Sequence, residues 1–155
     1  MESSIPLGIA GAVTVAVAVL ALDWLGGRPL ATPNALGATV FRGAEFNLLA
    51  PIEGILVFGY TLLHTAAFVI AATAAVSVEK TLRSLGVSLR TQFFVGIPAL
   101  FLCLHLGSLA MFSVLGISLE SFGSSRLLAI NGLAAMGIAT AFWIRAIANP
   151  TKEGN

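Results

Sequence analysis

The sequence predicts an all-α membrane protein: an antiparallel bundle of four transmembrane helices, with a short interfacial helix in the first outer loop. Three observations carry this. Of 155 residues, 57% are hydrophobic and 10% charged, whereas soluble domains carry about 25% charged residues. The mean hydropathy is +0.97. The few charges lie at or beyond the ends of four long apolar runs, each near the ~20 residues that cross a ~30 Å hydrocarbon core. Residues 1–155 read as a single membrane domain.

The runs cover residues 5–25, 51–78, 93–115 and 127–147. Trp24 closes the first and Trp143 the last, positions that suit interfacial anchors. A cleaved signal peptide begins with positive charge and has a shorter apolar stretch. This chain has Glu2 and no Lys or Arg before Arg28, so the first run reads as a retained span. With four spans, the second loop shares a side with both ends. That side holds Lys80, Arg83, Arg90, Arg145 and Lys152, five cations against Arg28, Arg42 and Arg126 opposite. The excess places both termini in the cytoplasm.

Short connections favour up-down-up-down order. The first loop is the longest. Gly26-Gly27-Arg28-Pro29 ends the first helix, and Thr32-Pro33 reads as a helix N-cap followed by proline at the first helical position. Residues 34–41 then form a short helix with Leu36, Val40 and Phe41 to one side. Such a helix lies flat in the interface; the alternative is a lid over a cavity between the spans. The second loop, 79–91, is short and basic. The third, 116–125, carries Gly and Ser turn chemistry and one acid, Glu120.

Lipid gives helices no hydrophobic reason to associate, so small residues and polar bonds must join them. Gly8, Gly11, Ala12 and Ala16 in the first span provide small surfaces. So do Ala66, Ala67, Ala71, Ala74 and Ala75 in the second, and Gly132, Ala135, Gly137 and Ala139 in the fourth. These predict a compact bundle rather than a wide pore.

Polar side chains inside spans are costly and mark functional hypotheses. Glu53, Tyr60 and His64 fall on one face of the second span. The third span supplies His105 and Ser108, and the fourth Asn131. At ~1.5 Å rise per residue, His64 lies ~20 Å below Pro51 and His105 ~18 Å from Phe93, so both histidines sit near the midplane. Three readings fit. The side chains bond one another and pin the helices; or they form a proton or ion path with Glu53 at its mouth; or His64 and His105 ligate a b-type haem. Against haem, no Arg at the midplane could bind a propionate. A divalent metal would need a third close ligand, and Cys103 points away from His105 on a helix.

No CxxC, HExxH, Walker loop or GxSxG is present, so no motif assigns a catalytic mechanism. A net charge of +1 without a basic cluster offers nothing to nucleic acid. The single cysteine, Cys103, leaves no internal disulfide.

Two stretches, Gly27-Arg28-Pro29-Leu30-Ala31-Thr32-Pro33 with Leu36-Gly37, and Gly59-Tyr60-Thr61-Leu62-Leu63-His64 with Phe68, resemble a group of small four-span bacterial membrane proteins. The resemblance implies a bacterial inner membrane, assigns no activity, and groups Tyr60 with His64. The combined expectation is a non-catalytic subunit or accessory protein, with no cofactor, packing in the bilayer against a larger membrane complex or itself. The alternative is a small electron or proton carrier using His64 and His105. A reporter fused after Asn155 is expected to be active only in the cytoplasm; periplasmic activity there would overturn the span count or the orientation.

Overall fold

The computed structural model describes residues 4–148. Six helices follow in order: α1 (Ser4–Leu25), α2 (Ala31–Arg42), α3 (Gly54–Ser84), α4 (Leu89–Leu115), α5 (Leu119–Phe122) and α6 (Ser124–Ala148). Among these, α1, α3, α4 and α6 are long and apolar enough to cross a membrane. The chain is an all-helical membrane protein.

The four long helices form a row. α1 packs on α3 to one side and α6 on the other, α6 packs on α4, and α3 barely meets α4. Small residues decide the close contacts. A Cβ added at Gly8 would come within 2.5 Å of Val69 Cα, and one at Gly137 within 2.5 Å of Thr14 Cγ2. Gly11 admits Phe68 and Ile138. The alanines of α3 behave differently from expectation: Ala66, Ala67, Ala71 and Ala74 are exposed, and Ala72 and Val76 face Leu7 instead. The row is also splayed. α1 is left uncovered along Val13, Val17 and Leu20 between the two outer helices, so a cleft replaces the compact centre expected from composition.

Helix boundaries moved for local reasons. α1 ends where Gly27 takes φ 72° and Arg28 N donates to the Asp23 carbonyl at 2.9 Å. Residues 51–53, expected inside the second span, stay outside α3 because a side chain of α2 holds them, as described below. At its far end α3 runs on to Ser84 instead of stopping near Val78, with Glu79 and Arg83 paired one turn apart at 2.6 Å. Ser88 caps α4 by accepting from Thr91 N at 3.2 Å. The one-turn α5, unexpected from sequence, sits between Gly116 (φ 68°) and Gly123 (φ 92°). It places Phe122 in a buried cluster with Val15, Leu36, Phe112, Leu127 and Ile130.

α2 covers one end of the cleft. Its face Ala31, Thr32, Asn34, Ala35, Leu36 and Gly37 is buried, with Gly37 so near the Leu56 carbonyl that a Cβ would approach it to 2.6 Å. Phe41, on the same helix, remains half exposed over Gly59. The helix is a packed lid with one open face, rather than a helix held by the interface alone.

Substituting Gly8 or Gly37 by Val should destabilise the fold by roughly 1–3 kcal/mol through overpacking against backbone. Gly107→Ala, with no neighbour within 4 Å of its Cβ, should not. Unfolding of the purified chain in detergent, followed by circular dichroism, checks the contrast; equal tolerance at all three sites would disprove the packing scheme.

Candidate functional site

The α2 end of the bundle is built around Asp23, whose side chain is nearly sealed at 1% exposure. Its carboxylate accepts from the Thr32 backbone N–H at 2.8 Å and from the Thr32 hydroxyl at 2.7 Å. Arg126, at the start of α6, ion-pairs with the same carboxylate and donates to Thr32 Oγ1 at 2.6 Å. Its guanidinium also lies 5.7 Å from the Phe122 ring centre. An acid from α1 thus caps the N-terminus of α2, where free N–H groups and the helix dipole favour negative charge. This corrects the expected Thr32 cap. The helix begins two residues earlier, after Leu30 at φ 71°, and Thr32 serves Asp23 instead. A bulky residue in that left-handed region costs on the order of 1–3 kcal/mol and persists only where its surroundings fix it.

Further bonds clamp the lid to the segment before α3. Arg28 forks onto the carbonyls of Leu48 and Ala50 at 2.8 and 2.9 Å. Asn34, 1% exposed, donates to the Pro51 carbonyl at 3.0 Å and accepts from Glu53 N at 2.8 Å. Glu53 does not share a site with Tyr60 and His64. It stands exposed ahead of α3, in a two-pronged 2.7 Å contact with Arg42. Hydrogen bonds from Arg42 hold its carboxyl below the usual range, and Glu53 in turn raises Arg42.

Beneath the lid lies a cleft of about 550 Å³. α1 forms its floor, α3 and α4 its walls, and Asp23, Thr32 and Leu36 its end. A second cavity of about 280 Å³ lies between the far halves of α3, α4 and α6, and Cys103 lines both. The lining is mostly apolar. Its polar groups include Tyr60, Thr61, His64, Ser108 and Asn131.

The candidate polar residues fall into two separate sets. On α4 and α6, the Asn131 amide lies 3.3 Å from His105 Nδ1 and exchanges long 3.4 Å contacts with Ser108. His105 also stacks on Phe101 at 5.7 Å. On α3, His64 stacks between Tyr60 at 5.9 Å and Phe68 at 4.7 Å. Its Nε2 is sealed with no hydrogen-bond partner among the described residues. No ring contact or hydrogen bond joins the two imidazoles among the described residues. Thr61 returns its hydroxyl to the Val57 carbonyl at 2.7 Å, so it does not bridge helices. No group of three His, Cys, Asp or Glu side chains among the described residues could hold a metal ion.

The principal residues missed from sequence are Asp23, Thr32, Asn34 and Arg126. A signal existed for two of them: Asp23 and Arg126 are an acid and a base at the same end of antiparallel spans, and unpaired charge there is costly. Comparison with known proteins finds no matching family model, curated protein or solved structure.

Asp23→Ala should cost roughly 3 kcal/mol, the lower end for a broken buried pair, because the Arg126 side chain keeps 20% exposure. The apolar double replacement Asp23→Leu with Arg126→Met should recover much of this. Denaturant unfolding of the three variants in micelles decides it; equal losses in single and double variants would show that charge pairing is not what Asp23 contributes.

Proposed function

We propose that the chain is a non-catalytic membrane subunit that works by packing against other membrane subunits or a second copy of itself. The observation that carries this is the uneven use of its spans. Gly8 and Gly11 of α1 and Gly137 of α6 are spent on neighbours within the chain, while Ala16 and Gly132 are not. The most apolar stretch of α4 has no buried residue, against a third of that of α6. Ile55, Phe58, Leu62 and Ile70 of α3, and Val95, Leu102 and Leu106 of α4, are exposed large side chains. Van der Waals packing drives helix association in lipid, and these faces are free for it.

A bacterial inner membrane with both termini cytoplasmic belongs to the same reading. Its supports are the resemblance of the first loop and second span, and the five-to-three excess of Lys and Arg on the side of the α3–α4 loop. The carrier alternative requires His64 and His105 to share a haem or a proton. Their separate surroundings, Tyr60 and Phe68 for one, Asn131 and Phe101 for the other, do not favour it.

Gentle detergent purification followed by native mass spectrometry and an optical spectrum tests the proposal. A stoichiometric species larger than 16.0 kDa is expected, without a Soret band. Combining Phe58→Ala with Leu102→Ala should release the partner while the isolated chain keeps its unfolding midpoint. A monomer under every mild condition overturns the subunit reading, and a Soret band lost in His64→Leu would establish the carrier.

A further inference from the structure

We propose that the cleft binds a neutral long-chain lipid whose carbonyl oxygen accepts a hydrogen bond from Tyr60. Tyr60 is the only tyrosine in the chain. Its ring packs against the buried cluster at the α2 end and lines the larger cavity. Among the described residues its hydroxyl has no hydrogen-bond partner. Unlike His64 Nε2, that hydroxyl is not among the polar atoms sealed from contact. A partly buried phenol without an acceptor is costly, and the neighbouring hydroxyls are committed elsewhere. Thr61 donates to the Val57 carbonyl and Ser108 to the Leu104 carbonyl. The missing acceptor has to arrive from outside the chain.

Three features define its chemistry. The ligand is neutral, because Asp23 is the only Asp, Glu, Lys or Arg among the described residues that line the larger cavity and is already satisfied by Arg126 and Thr32. An ionic headgroup at the level of Tyr60 would find no counter-charge. It is long and apolar, because the 550 Å³ cavity, within the ~300–1,000 Å³ range of small-molecule sites, is lined along α1, α3 and α4 mostly by Val, Leu, Ala and Phe side chains. It enters sideways from the bilayer, because α2 closes the end and α3 barely meets α4. A transmembrane helix fits the chemistry less well, since its carbonyls are bonded internally and offer Tyr60 no acceptor. Acylglycerol esters and isoprenoid quinones share the required carbonyl and chain, and the experiment separates them.

The full-length chain carrying 3-fluorotyrosine has one fluorine reporter, at Tyr60. In mild detergent it is titrated with dioleoylglycerol, with decylubiquinone, and with anionic dioleoylphosphatidylglycerol as control. A saturable fluorine shift is expected with one or both neutral lipids and none with the anionic one; the lipid that shifts it identifies the source. Gly107→Phe fills the cleft from a position with open space around its Cβ, so it should abolish the shift without unfolding the chain. Tyr60→Phe, scored by native mass spectrometry of bound lipid, should bind about three- to tenfold more weakly, the loss of one hydrogen bond. The proposal is overturned if neither neutral lipid saturates, if the anionic lipid acts equally, or if Gly107→Phe binds as the parent does. It is also overturned if a protein segment, cross-linked through Cys103, occupies the cleft. Lipid occupancy is read on the isolated chain, so it stands or falls separately from the subunit reading.

Discussion

The Asp23 carboxylate is the constraint on which the α2 end depends. Three elements meet at it: the end of α1 that carries it, the start of α2 that it caps, and the start of α6 that sends Arg126. Each needs the others. A carboxylate this deeply buried is tolerable only with a counter-charge and several donors, and α2 and α6 supply them. Conversely, the N-terminus of α2 needs an acceptor that its own Thr32 no longer provides. Leu30, in its left-handed conformation, is the turn that brings Thr32 to Asp23. Registration of the lid therefore follows from one ion pair, and the Arg28 and Asn34 bonds extend it to residue 53.

That registration explains the shape of the rest. α1 has two close neighbours because its small residues lie on two sides, Gly8 and Gly11 toward α3 and the Thr14 region toward Gly137 of α6. With both sides occupied, α3 and α4 are kept apart by the helices between them. No small-residue surface joins them, since the exposed alanines of α3 face away from α1 and find no close partner on α4. The cleft is the geometric consequence of a four-helix row whose ends do not close. Phe112, Phe122 and Leu36 line it at the α2 end.

Much of this was legible in the sequence. Apolar runs of the right length sit between charges, so the four spans follow from bilayer thickness alone. Gly26-Gly27 and Pro29 marked the end of α1 correctly, because glycine supplies the positive φ that stops a helix. Glu53 and the α3 alanines were misread for one shared reason. Helical periodicity says which residues share a face, but not which face meets a neighbour. Glu53 found Arg42, eleven residues earlier in chain and across a loop, a pairing invisible to a 3.6-residue rule. The α3 hydroxyls were equally silent: Thr61, Thr65, Thr73, Ser77 and Thr81 each return to a carbonyl four residues back, as Ser and Thr do where no other partner is in reach. The row order depends on small differences between competing glycine and alanine surfaces, which composition does not rank.

The polar groups are sorted by depth in a way that bears on what the protein can do. Charges are paired at the α2 end, where Asp23, Arg126, Arg28, Arg42 and Glu53 gather. Toward the middle, only neutral groups occur, and they are satisfied unequally. Asn131 makes three long contacts between 3.3 and 3.4 Å, and Tyr60 makes none. A membrane protein under pressure only to pack would gain by replacing such groups with apolar ones, since an unpaired polar group in hydrocarbon costs several kcal/mol. An unpaired Tyr60 hydroxyl in the wall of the cleft is therefore not explained by packing alone. The ion pair fixes the lid, the lid shapes the end of the cleft, and Tyr60 within it is the donor left for a molecule that brings its own acceptor.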